Sequence, residues 1–212
     1  AFAIGGMAAF IPTKSDAEIN TAALAKVRAD KEREANAGYD GSWVAHPGLV
    51  SICAEEFDRV LGDRPNQLGR PVSPAPAAVR LLDTAGTPGA VTEAGVRGNV
   101  SVSLRYLVSW LGGNGAAAID NLMEDAATVE ISRSQLWQWI HHATSTDTGT
   151  VVTRQYVTTI LDEELSRLRG LYAADADALQ RLEQAHTLFA EVVLDDEYVD
   201  FLTLPAYAEF VP

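Results

Sequence analysis

Apolar residues recur at helical spacing through the C-terminal half of the chain. Val100, Leu104, Leu107, Val108 and Leu111 fall on one face; Tyr156, Val157, Ile160, Leu161, Leu165 and Leu168 make a second stripe; Leu179, Leu182, His186, Phe189 and Val193 make a third. Gly112-Gly113 ends the first stripe and Gly170 the second. Ser132-Arg133-Ser134-Gln135 has the spacing of a capping box and predicts a helix opening at Ser132 and running through Leu136, Trp139 and Ile140. Trp137 and Trp139 cannot both face one core from a single helix, which leaves one of them for a pocket or a partner surface. Residues 92–212 therefore read as a compact helical domain.

The first sixty residues follow a different rhythm. Phe2-Ala3-Ile4 and Gly41-Ser42-Trp43-Val44-Ala45 are short strand-like runs, and each precedes a helical stretch. The first helix is predicted to open at the capping box Ser15-Asp16-Ala17-Glu18 and to stop near Gly38; the second covers Leu49 to about Val60. Strand, helix, strand, helix is the signature of a parallel α/β sheet. Two strands alone leave sheet edges with unpaired backbone groups, so something outside residues 1–61 has to order them. From 62 to 91 the chain turns rich in Pro, Gly and Ala and predicts an extended connection, with one anchored turn at Val79-Arg80-Leu81-Leu82.

Composition narrows the function classes. A formal charge of −13 argues against sequence-independent nucleic-acid binding and against docking on anionic lipid. No apolar run reaches the length of a membrane span, and no basic segment opens the chain in the manner of a signal peptide. The start at Ala1, already strand-like, reads as a cut through a larger protein. The one cysteine, Cys53, precludes an internal disulfide and sits among apolar residues with no adjacent base, as a small core residue does.

Candidate chemistry concentrates at Glu124-Asp125, an acidic pair in the mostly apolar frame Asn121–Arg133. A carboxylate in apolar surroundings resists ionisation and becomes a usable base near neutral pH. The commoner meaning of such a pair is a solvated charge at a helix start. His141-His142 lacks the i, i+4 geometry of paired metal ligands, and His186 lies on an apolar stripe as a core histidine would. His46-Pro47 closes the second presumed strand, the end at which open sheets and barrels bind ligands. No phosphate loop, dinucleotide fingerprint, nucleophile elbow or zinc-protease motif is present in the sequence.

Longer stretches carry more than spacing does. Met123-Glu124-Asp125-Ala126-Ala127-Thr128-Val129-Glu130-Ile131-Ser132-Arg133, followed by Gln135-Leu136-Trp137-Gln138-Trp139-Ile140, resembles the signature of the malate synthases, specifically the A isoform. So do Gly5-Gly6-Met7-Ala8-Ala9, Val27-Arg28-Ala29-Asp30-Lys31, Tyr39–Pro47 and Asp200–Tyr207, in family order along nearly the whole chain. The resemblance implies a TIM (β/α)8 barrel followed by a C-terminal helical bundle. Residues 1–61 would be its last two β/α units, 62–91 the connection and 92–212 the helical cap.

The reaction so implied is a Claisen-type condensation of acetyl-CoA with glyoxylate, followed by thioester hydrolysis to malate and CoA, in the glyoxylate bypass. Asp125 matches the family's catalytic base. Met7, Trp43, Pro47 and Met123 match positions along the acetyl-CoA path. The cofactor implied is Mg2+, whose ligands, like the arginine that stabilises the enolate, belong to the part of the family preceding Ala1; no metal ligand is expected in this chain. Residues 1–212 alone are thus expected to be inactive, with the N-terminal barrel half or another copy of the chain as the ordering partner. The ending Glu209-Phe210-Val211-Pro212 lacks a peroxisomal tripeptide, which favours a cytoplasmic location. One departure is Gly115-Ala116-Ala117-Ala118, where relatives often carry a cysteine. The alternatives are a non-catalytic helical binding module and a related acyl-CoA lyase of the barrel superfamily.

Overall fold

The computed structural model describes residues 1–12, 17–71, 74–84 and 86–211. The chain divides into two compact units: Ala1–Gly86 with Asp120–Met123, and Thr87–Ile119 with Glu124–Pro212.

In the first unit β1 (Ile4–Ala8), α1 (Ala17–Ala37), β2 (Gly41–Val44) and α2 (Val50–Leu61) follow in the order the sequence predicts. The two strands pair in parallel, with Ile4 opposite Gly41 and Gly5 opposite Ser42, and the register slips between Gly5 and Ala8. Helix α1 ends as its glycine requires. Gly38 takes φ 104°, its N–H bonds the Ala35 carbonyl, and the Tyr39 N–H reaches back to Glu34, satisfying carbonyls left open at the helix end. The Ser15 capping box lies outside the described residues. Between β2 and α2 a single 3-10 turn, Pro47–Leu49, is capped by His46, whose Nδ1 accepts from the Gly48 N–H at 3.0 Å.

The core of this unit is small: Ala8, Val27, Leu49 and Cys53, with Phe10, Leu24, Val44 and Ile52 around it. Burial pushes the Cys53 thiol up from its ordinary value, so it stays protonated and inert, as a core cysteine should. A polar knot adds what apolar area does not supply. Lys31 is wholly buried, on the stripe Ala23, Val27, Lys31, Ala35 of α1. Its Nζ donates to the Gly6 carbonyl at 2.7 Å and to both Glu34 carboxylate oxygens, at 3.0 and 2.9 Å. Glu34 in turn accepts from the Gly6 N–H at 3.1 Å. It lies so close over Gly5 that any Cβ there would collide with the carboxylate. In the connection, the turn at Val79–Leu82 does form, as α3 (Ala78–Leu81), but it is not anchored: Val79, Leu81 and Leu82 are all strongly exposed.

The second unit packs α4 (Glu93–Leu111), α5 (Ala126–His141), α6 (Arg154–Leu171), α7 (Ala176–Leu194) and the short α8 (Thr203–Glu209) around one core. The three apolar stripes enter it with Val100, Leu104, Leu107, Val157, Ile160, Leu168, Leu182, Phe189 and Val193 buried; His186 is only half-buried. Thr92, Thr153 and Asp175 cap α4, α6 and α7 by accepting from Gly95, Tyr156 and Ala178 N–H groups.

Two expectations for residues 92–212 are corrected. The region is not wholly helical: β3 (Ala117–Ile119) and β4 (Leu122–Glu124) form a hairpin. Its two turn residues, Asp120 and Asn121, have φ of 49° and 62°, the left-handed backbone such a turn needs and that Asp and Asn tolerate. Nor does a helix open at Ser132. Helix α5 starts six residues earlier, Ser132 is buried within it, and Gln135 accepts from Asn99 instead of returning to a cap. Asp125 out-competes Ser132 because it stands where the strand ends and the backbone is still extended.

Glu164 of α6 illustrates how charge is handled here. Burial pushes its carboxyl up, but the guanidiniums of Arg167 and Arg97, at 2.7 and 3.4 Å, outweigh that and hold it below the ordinary carboxylate range. A depressed carboxylate contributes stability that is complete above its unfolded value and is lost as pH falls through its folded value. Denaturant midpoints of this unit should therefore drop on acidification, and Glu164→Gln should flatten that dependence. No helix among the described residues is long and apolar enough to cross a membrane.

Candidate active site

Asp125 lies at the junction of β4 and α5. Its backbone is extended (φ −133°, ψ −175°), and its Oδ1 accepts from the Ala127 N–H at 2.9 Å, the position of a helix N-cap. Its carbonyl accepts from Thr128 N–H at 3.1 Å. The other carboxylate oxygen has no hydrogen-bond partner among the described residues and the side chain is exposed. Among the described residues no apolar enclosure surrounds this carboxylate: Val129 turns into the core of the second unit, while Ala126, Ala127 and Ile131 are exposed.

Glu124 belongs to β4 and stands just before the helix, not within it. Its carboxylate is engaged by the Thr128 hydroxyl. The two acids thus have different states: one tied down by a side chain, the other half-tethered and open. Tyr106 senses the second. Burial first, and then the negative charge of Asp125, push its phenol up from its ordinary value, while its hydroxyl donates to the Gly115 carbonyl at 3.0 Å.

The four positions matched to the acetyl-CoA path all fall in the first unit. Met7, on β1, lines a cavity of about 760 Å³ within that unit together with Phe10, Val27, Lys26 and Leu122. Met123 is half-buried, and its N–H donates to the Ala9 carbonyl at 2.8 Å. Phe10 and Leu122 bridge in the antiparallel sense alongside it. Trp43, on β2, is 63% exposed, and Pro47 opens the 3-10 turn. Met7 and Met123 are thereby brought onto neighbouring stretches of backbone, while Trp43 lies in the other strand of the pair and Pro47 just beyond it.

Among the described residues no group of three or more His, Cys, Asp or Glu side chains could hold a metal ion. On α1, Asp30 is paired with Lys31 and Arg33, and Glu34 with Lys31. The hard-oxygen cage that Mg2+ requires is not built from these residues. His141 stacks flat on Trp137, with centroids 4.6 Å apart and planes at 12°, and meets the His142 ring edge-on, which is aromatic packing and not ligation.

Two polar clusters escaped the sequence reading. The Lys31–Glu34 knot had a signal: a lysine at i+4 from Val27 on an otherwise apolar stripe. The second had none beyond its i, i+3 spacing. Arg133, only 1% exposed, has its Nε on Glu130 and its Nη2 on the Asp200 carbonyl at 3.0 Å.

These features define the class: a parallel β/α unit and a helical unit whose α5 carries an open carboxylate at its N-cap. Residues 90–210 match the family model described as malate synthase, C-terminal, and residues 1–83 that of the malate synthase TIM barrel domain. Similar proteins include a malate synthase of Streptomyces clavuligerus, 52% identical over 98% of this chain and 38% of the relative. Malate synthase A of Escherichia coli (strain K12) is 44% identical over 98% and 39%, and a glyoxysomal malate synthase of Zea mays 45% over 97% and 37%. The chain belongs to the malate synthase family, and it spans less than two fifths of the length of these curated relatives.

Proposed function

We propose that the full-length protein condenses acetyl-CoA with glyoxylate and hydrolyses the thioester to release malate and CoA, with Asp125 as the base. The supporting observation is the state of that carboxylate within the family-matched segment: one oxygen is fixed by the Ala127 N–H and the other is open to accept a proton. Proton removal from the acetyl methyl leaves an enolate whose carbon attacks the aldehyde carbon of glyoxylate; water then cleaves the thioester. A thioester α-proton is far less acidic than a carboxylic acid, so the base needs a preorganised cation at the enolate oxygen. Arg133 does not supply it, being buried and committed within the second unit. That cation, and the Mg2+ site of the family, are assigned to residues outside this chain.

On this reading residues 1–61 are the last two β/α units of a barrel, 62–91 a connection and 92–212 a helical cap. The N-terminal barrel half, or another copy of the chain, orders the open strand edges, and the location is cytoplasmic. The test is an assay of CoA thiol release and malate formation. Full-length protein should turn over; residues 1–212 alone should not, and adding the upstream portion should restore activity. Malate formation by residues 1–212 alone would refute the division of labour, and a full-length protein that binds acetyl-CoA without turnover would refute the enzymatic reading.

A further inference from the structure

We propose that Glu130 and Arg133 are positioning residues for Asp125: they key helix α5 to the backbone segment Asp195–Leu202 and so set where its N-cap carboxylate stands. The proposal rests on Asp125 acting as the base.

Four side chains on α5 grip that one segment. Glu130 accepts from the Leu202 N–H at 2.9 Å through one oxygen and holds Arg133 Nε through the other. Arg133 donates to the Asp200 carbonyl at 3.0 Å and lies over the Tyr198 ring, 4.5 Å from its centroid. The Ser134 hydroxyl meets the Tyr198 hydroxyl, and Trp137 Nε1 donates to the Asp195 carbonyl at 3.0 Å. The segment is itself fixed beyond this point, because Leu202 and Ala206 are buried in the core and Tyr207 packs edge-on against Trp110 of α4.

Apolar burial of Val129 and Leu136 sets the depth of α5 but is non-directional, so it resists sliding along the helix axis weakly. Hydrogen bonds to backbone groups of a fixed segment do resist sliding. Arg133 is eight residues from Asp125, about 12 Å along a rigid helix, so an axial shift at one end is delivered whole to the other. Fold stability alone does not account for the arrangement. Arg133 Nη1 is buried with no hydrogen-bond partner among the described residues, a cost that an apolar side chain would avoid, and buried ion pairs are often replaceable by apolar residues without loss of stability. A reacting group displaced by about 1 Å loses on the order of 100-fold in rate.

The experiment uses the full-length protein. Arg133→Met and Glu130→Ala are expected to lower kcat by about tenfold or more with the KM values for acetyl-CoA and glyoxylate held. Glu130→Gln, which keeps the acceptor for Leu202, should recover most of the loss. Amide exchange should rise in peptides covering Asp125–Ile131 while those of α4 and α7 stay protected; a general loss of structure would raise all of them. If Arg133→Met does not fold, Glu130→Ala and Tyr198→Phe carry the same measurement. Asp125→Asn is run in parallel. Should it be inactive while both grip variants keep wild-type kcat, the positioning role is overturned and the base remains; should Asp125→Asn itself keep wild-type kcat, the base assignment fails and the positioning role with it.

Discussion

Asp125→Asn is expected to reduce kcat for malate formation by the full-length protein by about 10³-fold while leaving its unfolding midpoint unchanged. The substitution separates two jobs of one side chain. As an N-cap, asparagine is as good as aspartate, so the bond to Ala127 and the start of α5 should survive. As a base, the amide is useless, because its oxygen does not hold a proton at accessible pH. Asp125→Ala should lose the same activity and, in addition, about 1 kcal/mol of stability with the cap. A near-normal kcat for the asparagine variant would remove Asp125 from the chemistry, whatever the fold retained. The side chain is exposed, so exchanging one oxygen for an amide nitrogen disturbs no buried contact and the assay reads the chemistry alone.

The second large effect concerns the first unit. Lys31→Met should destabilise it by about 3–5 kcal/mol, the usual consequence of breaking a buried pair by removing one partner. Methionine fills much of the lysine's volume, so the loss would be electrostatic and not a packing defect. It would strand the Glu34 carboxylate, only 15% exposed, against Gly5 and remove the donor to the Gly6 carbonyl. With so small an apolar core, this unit has little else with which to offset the change. Native-state hydrogen exchange of β1 and α1 in the full-length protein would report it, together with an earlier step in urea unfolding. The double variant Lys31→Met, Glu34→Gln should recover part of the loss; no recovery would mean that the stranded charge is not the cause.

Much of the secondary structure could be read in advance because its causes are local. The stripes of α4, α6 and α7 follow from periodicity, and the end of α1 from a glycine that alone is at ease at φ 104°. The β3–β4 hairpin escaped because three-residue strands show no alternation to detect, and because its Asp120-Asn121 turn lacks the glycine that usually betrays one. The start of α5 was misplaced because two capping signals compete within seven residues. The winner was decided by the strand that delivers the chain in an extended conformation at Asp125.

By itself, then, the sequence determined the order of β/α and helical elements, the family, and which carboxylate to suspect. Only the tertiary structure decided that this carboxylate is an open N-cap, that Lys31 is buried against the backbone of strand β1, and that Glu130 and Arg133 grip a segment about seventy residues further on. Helix periodicity and capping are written within a few residues of where they act. Burial and hydrogen-bond partnership depend on which distant segment arrives opposite, and no local pattern carries that address.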